Sequence, residues 1–236
     1  MKNLHLSWLF LLLFCLNSYS QELTIGVKGG FNKNSIGDLN SIGASFQTGH
    51  PDEIFSPEDK FAAQYGVFIK IDFNRIFLKG ELNFMTLKND YNFPDRVSFW
   101  KSSTFEIPVL AGYNIYKPLN LYTGLVFSSV SDLTLDGVEF APITYEKTAM
   151  YYSVGVLLDF GRFGFDLRYQ KNLKTTPQQR VNIDYSDYGV NKADLYEYKQ
   201  SQIILTAHIN IFRTDKEKMS GFLSGLFKGN DCKCPY

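Results

Sequence analysis

Nine ionisable side chains recur at alternating positions in segments whose other face is apolar: Lys28, Lys70, Asp72, Lys79, Glu81, Glu106, Asp159, Asp166 and Arg168. Four are positive and five negative, a near balance that suits mutual ion pairing inside a closed space. Buried charges persist chiefly when paired, so structural pairing is preferred here to a proton or ion pathway. Gly26, Gly30, Gly66, Gly112, Gly155 and Gly164 fall on the same face and leave room for the longer side chains. Catalysis would have to pass through His50 or His208. A base at His208 needs an orienting acid and a nucleophile, and Thr206 and Asn210, which share its face, do not supply that set. No Ser–His pair stands at the spacing of an outer-membrane lipid-modifying esterase, so no enzyme and no cofactor are expected. His50, Asp52, Glu53, Glu58 and Asp59 offer oxygens, but their spacing matches no calcium loop, and no metal site is assigned.

The elements that must position these charges alternate with period two. Tyr65, Val67, Ile69, Ile71 and Phe73 form one apolar face, and after Asn74-Arg75 the pattern resumes with Ile76, Leu78, Leu82 and Phe84. A second hairpin of the same kind runs from Tyr152 to Phe160, turns at Gly161-Arg162 and continues from Phe163 to Tyr169. Across the chain the pattern predicts eight strands, over 23–31, 61–73, 76–87, 104–116, 119–130, 148–160, 163–173 and 200–212. No helix is predicted between them. Short turns at 74–75, 117–118 and 161–162 alternate with long connections at 32–60, 88–103, 131–147 and 174–199.

Such alternation serves equally a soluble lipocalin-like barrel, with the apolar face inward, or a transmembrane barrel, with it outward. An even strand number, one-sided long loops and strands long enough to span favour the second. Aromatics at the turn ends (Phe73, Tyr113, Phe160, Phe163 and Phe212) suit an interfacial girdle. The expected fold is therefore all-β: an eight-stranded antiparallel up-and-down transmembrane β-barrel with short periplasmic turns and long extracellular loops. Its interior would be filled by side chains, as eight strands allow. Pro108 interrupts the fourth strand, and a bulge is expected there.

The chain opens with Lys2, an apolar run over 4–16 and Ser18-Tyr19-Ser20, the form of a signal peptide ending at residue 20. This divides the chain into a leader (1–20), a barrel (21–212) and a periplasmic tail (213–236), and places the protein in the outer membrane of a Gram-negative cell. Without Lys2 the 24 basic residues become 23, against 24 acidic ones, so no electrostatic footprint for nucleic acid exists. In the tail, Phe222, Leu223, Leu226 and Phe227 fall on one face of a short helix, for the membrane interface or a periplasmic partner. Cys232 and Cys234 would meet an oxidising compartment, and a bridge between them needs a turn.

Ile25-Gly26-Val27-Lys28-Gly29-Gly30-Phe31-Asn32, Gly66-Val67-Phe68, Glu81-Leu82-Asn83-Phe84, Phe105-Glu106-Ile107-Pro108-Val109-Leu110 and Asp166-Leu167-Arg168-Tyr169 carry a family resemblance. Over about residues 23–212 the chain resembles the PorT-like outer-membrane β-barrel proteins of the Bacteroidota. The resemblance implies a barrel in the outer membrane, and an accessory role in secretion across the envelope. Function is expected at the strand ends, where loops carry binding residues. The last long loop presents Tyr185, Asp187, Tyr188, Tyr196 and Tyr198; tyrosine buries large area at small entropic cost. The expected partners are outer-membrane lipid and an unidentified protein or envelope complex.

Overall fold

The computed structural model describes residues 21–42, 52–139 and 143–214. The leader, His50, the amphipathic stretch 222–227 and both tail cysteines lie outside the described residues.

Eight strands close on themselves. They are β1 (Gln21–Ser35), β5 (Phe61–Phe73), β6 (Ile76–Asn92), β7 (Val97–Tyr116), β8 (Leu119–Leu135), β9 (Thr148–Asp159), β10 (Phe163–Asn172) and β13 (Ser201–Arg213). Each pairs antiparallel with its neighbours in the order β6-β5-β1-β13-β10-β9-β8-β7, and the β6–β7 ladder closes the ring. The expected eight-stranded barrel is what forms. Its tight turns use the left-handed region where they must, at Asn74 (φ 60°) and Gly161 (φ 92°).

Burial decides which face meets what. The apolar members of the alternation point away from the barrel: Val67, Ile69, Leu78, Leu82, Val109, Leu121, Leu167 and Leu205 are each more than two-fifths exposed. Their polar neighbours Lys28, Lys79, Glu81, Glu106, Asp166 and Arg168 are buried inside. Water would reward the opposite arrangement, whereas hydrocarbon rewards this one. Tyr113, Phe160, Phe163 and Phe212 are exposed near the turn end, with Phe160 and Phe163 stacked 5.4 Å apart. Phe73, also at that end, is mostly buried. A second aromatic row, Tyr65, Phe84 and Phe105, runs across three strands near the other end. Two aromatic girdles flanking an apolar band mark the two interfaces of a membrane.

Beyond the second girdle the strict apolar-out, polar-in rule of the strands lapses and both faces become mixed. On β6 the outward residues become Lys88, Asp90 and Asn92, and the inward ones Leu87, Asn89 and Tyr91. On β7 the inward Trp100 is buried while Lys101 faces out. Both strands therefore continue out of the membrane as an ordinary water-facing hairpin, joined by residues 93–96 alone. This corrects the expectation of a long loop at 88–103.

Two further expectations fail. A four-residue helix, α1 (Tyr185–Tyr188), stands where no helix was predicted, capped by the Asp184 side chain and by Gly189 in the left-handed region. Pro108 causes no bulge: Gly80↔Val109 and Asn83↔Glu106 keep one register, and only the rungs between them are missing. A bulge there would swap the faces of Phe105 and Glu106, exposing the carboxylate to lipid. The irregularities fall instead at Ser103/Thr104 and Asn114/Tyr116 against β8, and at Ile25/Gly26 against β13.

The connections at the far end fold as well. β2 (Leu39–Ile42), β3 (Ile54–Phe55), β11 (Gln179–Asn182) and β12 (Lys192–Leu195) form a second sheet in the order β11-β12-β2-β3. β4 (Glu58–Asp59) extends the barrel wall beside β6. The small sheet, α1 and the upper ends of β6–β8 share one apolar core. The long loops are thus a folded cap.

Candidate functional site

Inside the barrel the charges gather into one cluster. Glu81 is its hub: Oε2 lies 2.7 Å from Lys28 Nζ, and Oε1 lies 2.8 Å from both Lys79 Nζ and Arg168 Nη2. Asp166 takes the second contact of Arg168 at 3.1 Å and one from Lys79 at 3.6 Å. The Tyr122 hydroxyl bridges Asp166 and Arg168 Nε. Nearer the turn end, Lys70 joins Asp72 at 3.1 Å and Asp159 at 3.4 Å. Glu106 stands apart in a different layer, where Gln170 Nε2 donates to both its oxygens at 3.1 Å. Among the described residues it pairs with no cation.

Rings pack over these charges. Lys79 Nζ lies 4.8 Å from the Phe68 ring centre, and the Phe77 ring covers Lys70 at 4.9 Å. Room for the rings comes from glycine. A Cβ at Gly112 would sit 2.1 Å from Phe77, and one at Gly155 would sit 2.2 Å from the Tyr122 hydroxyl. The barrel interior is therefore a packed plug. His208 belongs to it, edge-on to Phe68 with ring centres 5.4 Å apart.

Above the membrane, the tyrosines of the last loop separate into two groups. Tyr188 is buried in the cap core against Phe93 and Gly137, with the Arg96 guanidinium over its ring. Arg96 also pairs with Asp187 at 3.4 Å. Tyr198 packs against the same core, and burial pushes its hydroxyl up to about 12. Tyr185 and Tyr196 keep over a third of their surface exposed. On the small sheet Arg180 grips Asp194 with two hydrogen bonds of 2.7 and 3.1 Å, which hold the Asp194 carboxyl below the usual range. Tyr91 ties the wall to the cap by donating to the Gly37 carbonyl at 2.6 Å.

Between cap and plug lies a cavity of about 470 Å³. Ile36, Trp100, Leu133 and Ile143 form its apolar side; Ser102, Asn172 and Gln200 supply polar groups near its floor. Tyr151 donates to Gln200 Oε1 at 2.8 Å across that floor. Thr144, Glu146, Lys174, Gln179 and Arg180 also line it, so the chamber joins an apolar side to a polar one at a volume that suits a small amphipathic ligand. Sequence reasoning missed this chamber because its lining comes from seven separated segments. One local signal was present, the inward Trp100 on a segment read as loop.

No family model matches the chain, and no curated protein matches it. Among solved structures, the outer membrane protein OprG from Pseudomonas aeruginosa aligns with 84% of this chain and 97% of its own, at 14% identity and a TM-score of 0.47. Ail, the attachment invasion locus protein of Yersinia pestis, solved with the heparin analogue sucrose octasulfate, aligns over 82% and 99% at 12% identity and 0.44. Neisserial surface protein A aligns over 81% and 97% at 12% and 0.42. The decisive observations are internal to this chain: the closed ring, the outward apolar band and the inward charges. The fold is that of an outer-membrane β-barrel. Nothing in the comparisons singles out the PorT-like proteins.

Proposed function

We propose that this outer-membrane barrel is a binding protein, neither a pore nor an enzyme, which holds a small ligand in the chamber between cap and plug. The observation that carries the reading is the roughly 470 Å³ cavity, floored by Ser102, Asn172 and Gln200, with the packed, ion-paired plug further down the barrel. Catalysis is disfavoured because His208 is enclosed by Phe68 and Gly164 within the plug. The test uses chains with Cys232 and Cys234 changed to serine and a single new cysteine, in vesicles. A small water-soluble thiol reagent is expected to modify Ser102→Cys, in the chamber wall, and to leave the fully buried Ser153→Cys unreacted. Planar-bilayer current should stay flat. An inert Ser102→Cys, or a steady conductance, would sink the proposal.

A protein partner at the cap is a second reading, supported by the exposure of Tyr185 and Tyr196. It is the form in which the secretion role implied by the PorT-like resemblance would operate. Photo-crosslinking from either position in intact cells should then capture one discrete envelope protein, and a smear of unrelated proteins would count against it.

A further inference from the structure

A second concavity, of about 400 Å³, lies on the outer surface of β7, β8 and β9. Phe105, Ile107, Phe127 and Met150 wall it; the last three are about two-fifths exposed and belong to the outward apolar set. Hydrocarbon is therefore what meets this groove. Ala149 and Lys174 line both the groove and the chamber. The two spaces approach each other there because the strands differ in length. β8 runs on to Leu135, but its ladder with β9 ends at Ser129↔Thr148, and that of β10 with β9 ends at Asn172↔Tyr151. Beyond those rungs the wall is held by single bonds, Val130 N–H to Lys147 O at 2.8 Å and Leu173 N–H to Met150 O at 2.9 Å.

The side chains at this thin place are suited to a passage. Ala149 faces inward with only a methyl group. Lys174 Nζ lies 3.4 Å from Glu146 Oε2, with both side chains more than half exposed. An exposed pair of this kind contributes little and exchanges readily with another anion.

We propose that the chamber opens sideways into the outer leaflet at Ala149 and Lys174 and takes a single-chain amphiphile with an anionic head, such as a fatty acid. The tail lies against Trp100 and Leu133, and the head replaces Glu146 on Lys174. This deepens the binding reading and rests on it for the chamber itself. A tail leaving the bilayer trades hydrocarbon for an apolar wall, so the hydrophobic effect offers it little. Head charge and the fit of one chain must then set affinity.

Trp100 supplies the reporter. The chain has two tryptophans, and the other, Trp8, lies in the leader. In the 21–236 chain folded into phosphatidylcholine vesicles, a fatty acid brominated at mid-chain is expected to quench Trp100 saturably. Ala149→Phe, which fills the passage, and Lys174→Glu, an exposed change that leaves the core untouched, should each weaken binding at least about tenfold. Leu82→Phe, elsewhere on the lipid face, should leave it unchanged. Quenching that is absent, unsaturable, unaffected by both substitutions, or matched by a phospholipid brominated at the same carbon overturns the proposal. If Ser102→Cys still reacts while the fatty acid fails to quench, the chamber stands and the lateral amphiphile site falls. If both fail, the binding reading falls with it.

Discussion

Glu81→Ala is expected to destabilise the barrel by about 3–5 kcal/mol, the cost of removing one partner from a buried ion cluster. Its two oxygens serve Lys28, Lys79 and Arg168 directly, and Asn83 Nδ2 donates to Oε2 at 3.0 Å. Without Glu81, Lys28 loses its ion-pair partner and Lys79 and Arg168 are left with Asp166 alone. Glu81→Gln should fall between, since the amide keeps the shape and some hydrogen bonds but loses the charge. The measurement is guanidinium unfolding in vesicles, followed by Trp100 fluorescence and by the mobility difference between folded and unfolded forms on gels. The exposed Arg180–Asp194 pair is the comparison, and Arg180→Ala should leave the midpoint in place. Were Glu81→Ala to shift it no further than Arg180→Ala, the cluster would be filling and not fastening.

The parts of this molecule legible in the sequence are those where one rule holds along a whole strand. Within the membrane each strand obeys apolar-out and polar-in, so 61–73 and the turns at 74–75 and 161–162 are found where period two places them. The same alternation puts Lys28, Lys79, Glu81, Asp166 and Arg168 on one side, although not which cation meets which acid. That depends on register around the ring. The rule breaks where β6 and β7 leave lipid. Lys88, Asp90 and Lys101 then face outward, and Tyr91 and Trp100 inward. The periodicity survives, but each face mixes polar and apolar residues (Asn89 and Ser98 inward, Phe99 outward), and a reading keyed to one sign reports a loop. The cap was hidden for another reason. β2, β3, β11 and β12 have two to four residues each, too few to show a period, and β2 pairs with β12 across about 150 residues. Tyr188 and Tyr198 show the consequence. In a loop they resemble partner anchors, whereas in a folded cap two of the five candidate residues are core.

Leu167→Arg carries the sharpest test of where the apolar face sits. Leu167 lies mid-strand on β10, half exposed, between Val156 and Leu205 on the flanking strands. In a membrane barrel an arginine there stands near the bilayer midplane and should cost about 2–4 kcal/mol, whereas Ile211→Arg, close to the turn end, should cost only about 0–1. In a soluble barrel both substitutions would replace a wasted apolar contact with a hydrated charge, and surface changes of that kind stay within about 0.5 kcal/mol. The depth dependence, not the sign, separates the two environments. Both variants leave the inward plug untouched, so a difference between them reads the solvent outside the barrel. Unfolding midpoints in vesicles decide the matter, and equal midpoints for Leu167→Arg and Ile211→Arg would remove lipid from the account of this fold.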